Sequence, residues 1–163
     1  MTDKEFAYQY ALGTLSTGAL IKIANTSTSK YVLTILSKNI DWYIRKSVAN
    51  NPNIPIKIIT KLSKDKEWYV RAWVAKNPNT PIDILIKLSK DKDDDVKGGI
   101  ARNPNTPIDI LIKLSKDKNN FVKYCVARNS NTPIKVLTKL SKNKDSYIKK
   151  YAKQTLLDKG IKV

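Results

Sequence analysis

The sequence predicts an all-α chain, a solenoid of about five helix-turn-helix units of roughly 26 residues each. Three observations predict it. Leu-Ser-Lys begins at Leu36, Leu62, Leu88, Leu114 and Leu140, always 26 residues apart. Asn-Pro-Asn recurs at Asn51, Asn77 and Asn103, with Asn-Ser-Asn at Asn129, and an Ile-Pro or Thr-Pro pair follows each at Ile54, Thr80, Thr106 and Thr132. Between these marks the apolar residues fall three and four apart, the period of a helix with one buried stripe.

The elements follow in order. Residues 1–27 are expected to form a degenerate capping unit, because Asn25-Thr26-Ser27-Thr28-Ser29 aligns with Asn103-Pro104-Asn105-Thr106-Pro107 but lacks both prolines. Terminal units meet water on one side and are expected to be atypical. Residues 28–157 hold the tandem units. In each, a pair such as Thr80-Pro81 predicts a helix start, with Thr as N-cap, Pro at the first helical position and Asp83 answering the free N–H groups. This first helix runs from about Pro81 to Ser89, with Ile82, Leu85 and Leu88 on its stripe. After Lys90-Asp91-Lys92 a second helix starts near Asp93 and ends by Asn103, since Pro104 cannot continue it. Second helices carry a β-branched core pair, as at Ile44 and Val48 or Val122 and Val126, followed by Ala49, Ala75, Ala101 or Ala127. One such hairpin cannot bury its own face, so neighbours must stack. The last second helix starts at Tyr147 and runs on into Leu156-Leu157 before Gly160 stops it; residues 158–163 form a tail.

Composition bounds the chemistry. The 163 residues hold 31 Lys+Arg against 14 Asp+Glu, a net charge of +17, with no histidine and a single cysteine, Cys125. Such a field favours polyanions. One cysteine without histidine supplies no ordinary zinc or iron–sulfur ligand set, so no cofactor and no metal are expected. No apolar run reaches the eighteen or so residues of a membrane span. The N-terminal Met1-Thr2-Asp3-Lys4-Glu5 does not read as a secretion signal, so a cytoplasmic location is expected.

The string Trp68-Tyr69-Val70-Arg71, then Val74-Ala75, Asn77-Pro78-Asn79-Thr80-Pro81, Leu85 and Leu88, resembles the variant leucine-rich repeat, a relative of HEAT repeats. The resemblance covers residues 28–157 and implies a right-handed α-solenoid that acts as a binding scaffold, with its second helices lining the concave face. It is not specific to function. Some relatives carry an N-terminal iron–sulfur cluster, for which this chain has no cysteines.

With positions 44 and 48 in the core, positions 42, 45, 46, 49 and 50 of the second helices are expected to face outward. Across units they give a basic ladder: Arg45 and Lys46, Arg71 and Lys76, Lys97 and Arg102, Lys123 and Arg128, Lys149 and Lys150. Trp42, Trp68 and Tyr124 lie on or beside it, where rings could stack on bases. Cations with aromatics are the footprint of a nucleic-acid groove, and equally suit an acidic protein. The competing reading of Arg45 and Arg71 is a helix-surface ion pair with Asp41 and Glu67, four residues earlier, and that of Trp73 is packing. Lys61, Lys87, Lys113 and Lys139 on the first helices read as a solvated face.

The third unit departs from the pattern, with Asp94-Asp95 in place of two aromatics and Gly98-Gly99 in the next turn. The readings are a notch for a partner, a hard-cation site at Asp93, Asp94 and Asp95, which the divergence of consecutive carboxylates around a helix disfavours, or drift, which is favoured. HEAT-like alkylpurine DNA glycosylases are similar in architecture, and Asp94 near Trp68 and Lys97 is the one local match to their cleft. Their longer, irregular repeats are missing here, and no nucleophile–base pair or phosphate-cradling glycine loop is present. The expectation is therefore a non-catalytic, monomeric scaffold that binds nucleic-acid phosphates, with an acidic protein as the alternative partner.

Overall fold

The computed structural model describes residues 1–162. Among them are twelve α-helices and no strand. The chain divides into two compact units, residues 1–81 and the residues from Ile82 onward. Val163, the end of the expected tail, lies outside the described residues.

The first unit holds α1 (Asp3–Ala11), α2 (Thr17–Thr26), α3 (Lys30–Leu36), α4 (Trp42–Asn50), α5 (Ile56–Leu62) and α6 (Trp68–Lys76). Helices α2, α4 and α6 pack side by side, and α1 lies against α3. Phe6, Leu33, Leu36, Ile59 and Leu62 are buried together with the paired Ile44 and Val48, Val70 and Val74. The expected cap is thus a helix pair of its own, started by a capping box in which Thr2 Oγ1 accepts from the Glu5 N–H and Glu5 accepts from the Thr2 N–H.

The second unit holds α7 (Ile82–Leu88), α8 (Asp94–Arg102), α9 (Ile108–Leu114), α10 (Asn120–Ala127), α11 (Ile134–Leu140) and α12 (Ser146–Asp158). Here α8, α10 and α12 pack in a row, with α11 against α12. Val96, Ile100, Val122, Val126, Ile148 and Leu156 fill the core from one side, and Leu85, Leu111, Leu114 and Leu137 from the other. Helices of seven to nine residues are marginal alone, so this shared burial is what sustains them. Gly160 takes φ +76°, the left-handed conformation that ends α12.

The threonines do not cap the helices that follow them. The N-caps are Pro55, Pro107 and Pro133, which have no side-chain cap bond, whereas Thr106 and Thr132 donate from Oγ1 to the Ile100 and Val126 carbonyls at 2.6 and 2.7 Å. Thr80 does the same to Val74. The last carbonyls of a helix lack intrahelical donors, and a hydroxyl six residues on supplies one. Where proline is absent the expected chemistry returns: Ser29 caps α3, accepting from the Val32 N–H.

The recurrent asparagines do more than end helices. Asn51 Nδ2 donates to the Ala24 and Ser27 carbonyls (2.8 and 2.9 Å), Asn77 Nδ2 to Ala49 and Asn51 (2.8 and 3.1 Å), and Asn129 Nδ2 to Ala101 and Asn103 (2.8 and 3.0 Å). Each Oδ1 accepts from the N–H two residues on, at Asn53, Asn79 and Asn131. These buried amides join successive segments by satisfying main-chain carbonyls 24 to 28 residues upstream. In α12 the hydroxyl of Thr155 takes the role, donating to the Ala127 carbonyl at 2.7 Å.

Candidate functional site

The outward stripe of the second helices runs through positions 43, 46 and 50 of the α4 register, with 42 and 47 on its margins, and not through 45 and 49. Ala49 is wholly buried and Arg45 is only 7% exposed. The reason is angular: positions 45 and 49 lie about 100° from 44 and 48 around a helix with 3.6 residues per turn, and the turn between paired helices covers that flank.

Arg45 therefore belongs to the interior. Its Nε and Nη2 pair with both oxygens of Asp65 at 2.7 and 2.9 Å, and Nη1 donates to the Asn39 and Ile40 carbonyls, each at 2.9 Å. The partner is not Asp41, which caps α4 by accepting from the Tyr43 N–H. Burial alone would push the Asp65 carboxyl up, but hydrogen bonds from Arg45 and the Glu67 N–H, with the Arg45 and Arg71 charges, hold it below the usual range. Arg71 is half-buried and donates to the Asp65 and Lys66 carbonyls at 2.8 and 3.1 Å. Lys97 is likewise engaged, bridging Asp94 and Asp117, the latter at 3.1 Å. These ladder positions are internal fastenings.

Five of the second-helix cations, Lys46, Lys76, Arg102, Arg128 and Lys150, sit on aromatic rings. In the first unit Lys46 lies 4.5 Å from the Tyr43 ring centroid and 5.0 Å from that of Trp73, and Lys76 lies 4.6 Å from Trp73. In the second, Arg102 lies 4.9 Å from Phe121, Arg128 5.6 Å from Tyr124 and 5.0 Å from Tyr151, and Lys150 5.9 Å from Tyr151. Arg128 Nη1 also donates to the Tyr124 hydroxyl at 2.9 Å. Lys149 is exposed and Lys123 half-buried. Among the described residues Lys76, Arg102, Arg128 and Lys150 form no ion pair.

Trp42 and Trp68 are half-buried and both stack on the exposed Tyr69, with centroids 4.6 and 3.6 Å away. The aromatics on or beside the stripe are the expected Tyr124 together with Tyr43, Tyr69, Trp73, Phe121, Tyr147 and Tyr151. Their signal was present in the sequence as a ring followed three or four residues later by a cation, as in Tyr43 with Lys46, Trp73 with Lys76, and Tyr124 with Arg128.

No protein-family model matches the sequence, and no curated protein matches it. The site must be read from its own chemistry. Among the described residues no three potential ligands gather as a metal site, and no helix is long and apolar enough to cross a membrane. The carboxylates of the Asp93–Asp95 run are engaged separately. Asp93 accepts from the Asp95 N–H at 3.0 Å, Asp94 accepts from Lys97 and from Asn119 Nδ2, and Asp95 lies on the stripe near Arg102. Hydrogen bonds from Lys97 and Asn119 lower the Asp94 pKa, while burial and the neighbouring Asp93 and Asp94 charges raise that of Asp95. Gly98 is a seat rather than a notch, since a Cβ there would stand 2.4 Å from the Phe121 ring. Cys125 is buried, and burial pushes its thiol up to about 11, so it is no nucleophile at neutral pH.

Proposed function

We propose that this chain is a non-catalytic binding scaffold, a right-handed solenoid of about five variant leucine-rich or HEAT-like repeats, that engages the phosphate backbone of nucleic acid through the outward stripe of the second helices in each of its two units. The observation that carries the reading is the set of cations on that stripe: Lys76, Arg102, Arg128 and Lys150 are exposed, rest on aromatic rings and form no ion pair among the described residues, with Asp95 the acid nearby, beside Arg102. A guanidinium or ammonium held over a ring keeps its charge available while its stem is ordered, so less entropy is lost when a phosphate arrives. The rings themselves supply faces on which unpaired bases stack. The net charge of +17 draws a polyanion toward either unit.

Mixed-sequence duplex and single-stranded DNA and RNA, labelled and titrated at about 50 and 200 mM salt, test this. Four phosphate contacts give a roughly 100-fold loss of affinity across that range, and Lys76, Arg102, Arg128 and Lys150 together changed to Glu abolish binding. Absence of binding at the lower salt sinks the reading. Retention by the four-site variant moves the site elsewhere. An acidic protein docked on the same residues is the competing partner, and its affinity depends less steeply on salt where an apolar centre is desolvated.

A further inference from the structure

The turns between paired helices show what the cation at the Arg45 position ordinarily meets. Arg45 pairs with Asp65, and Lys97 with Asp117, in each case 20 residues on. Lys123 occupies the same position one 26-residue step after Lys97, and 20 residues beyond it stands Asn143. An amide cannot neutralise an ammonium. Lys123 is half-buried and has no ion pair among the described residues.

It opens on a cavity of about 1150 Å³ formed by α9, α10, α11 and the turns after α9 and α11. Five further lysines line it, Lys116, Lys135, Lys139, Lys142 and Lys144, above an apolar floor of Ile112, Val136 and Leu140. Of the two acids in the wall one is paired with a cation and the other is held only by neutral N–H groups, so six ammoniums face one unpaired carboxylate. Asp117 accepts from Lys97 and the Asn119 N–H, and Asp145 accepts from the Tyr147 and Ile148 N–H groups and from Asn120 Nδ2. The corresponding groove of the first unit is smaller, about 680 Å³, and its inner cation, Arg45, is closed by Asp65. Only in the second does the wall hold an inner cation that is left unneutralised.

We infer that this cavity is a binding site for a compact anion carrying two or more phosphate groups. Ammonium groups are point charges suited to phosphate, and six of them around one concavity favour a ligand whose charge is clustered rather than strung out. The size is that of a small-molecule site. None of Lys76, Arg102, Arg128 or Lys150 lines it, so the inference stands independently of the nucleic-acid reading.

Calorimetric titration of the full chain at about 50 mM salt, with inorganic tripolyphosphate and with a magnesium-free nucleoside triphosphate, tests it. Asn143→Asp restores the acid that the chain already uses at Asp65 and Asp117, so the variant should fold. It is expected to weaken both ligands by about tenfold or more by pairing Lys123, as is Lys123→Gln. Ser130→Asp, which adds the same charge beyond the C-terminal end of α10 and outside the cavity lining, changes affinity much less than Asn143→Asp does. No binding by the native chain, or equal losses in Asn143→Asp and Ser130→Asp, overturns the site. So does an Asn143→Asp chain that loses duplex DNA while retaining tripolyphosphate, since the cavity then serves a polymer.

Discussion

At the scale of single residues, the chain separates cations that hold the fold from cations that face outward, and burial decides which is which. Arg45 and Arg128 are both arginines on second helices. The first has both oxygens of Asp65 and two carbonyls; the second lies over two tyrosines in water. Removing Arg45 strands the Asp65 carboxylate, whose side chain is 8% exposed, so Arg45→Ala should lower stability to urea by about 3–5 kcal/mol. Arg128→Ala should cost no more than about 1 kcal/mol. Equal losses would mean that Arg45 is not the fastening described. The pair also sets an acid limit. Because the Asp65 pKa is lowered in the folded chain, its contribution is complete above the ordinary aspartate range near pH 3.9 and is lost as pH falls through the lower folded value. The sequence could not distinguish these arginines. Asp41 stands four residues before Arg45 and suggests a surface pair, whereas the true partner is 20 residues away and reaches it only through the stacking of helices.

At the scale of elements, helix positions were legible because their period is local, and the direction of each face was less so. Spacing placed α7, α8 and α12 within a residue or two of their observed ends. It did not reveal that the turns cover the flank holding positions 45 and 49, nor that the threonine hydroxyls turn back to the preceding helix. The two glycines of α8 show the same limit. As isolated symbols they read as drift, yet Gly98 admits the Phe121 ring, which in turn lies under Arg102. Gly98→Ala gains about 1 kcal/mol of helix propensity but forces that ring aside, and a net destabilisation of about 1–2 kcal/mol is expected. In a Phe121→Ala background the same change should become neutral or stabilising. Additive effects in that double-mutant cycle would contradict the contact.

For the molecule as a whole, the excess of positive charge acts in two directions. It attracts polyanions, and it repels itself. Raising salt from about 10 to 200 mM, where the screening length shrinks to below about 10 Å, should therefore raise the Tm of the free chain while weakening the proposed binding of nucleic acid. A Tm that falls or holds constant over that range would mean that the engaged pairs, Arg45 with Asp65 and Lys97 with Asp117, outweigh the unpaired lysines.

The asparagine joints have an evolutionary consequence. Asn51, Asn77 and Asn129 bind main-chain carbonyls rather than side chains, so what each joint requires of the segment before it is a backbone path and not a particular residue. A copied segment inserted beside its parent meets a compatible neighbour at once, before any compensating mutation. The identical strings Asn77–Lys92 and Asn103–Lys118 are what such a joint permits. Lineages built this way are free to lengthen or shorten by whole 26-residue steps, and to diversify the outward side chains of each copy independently.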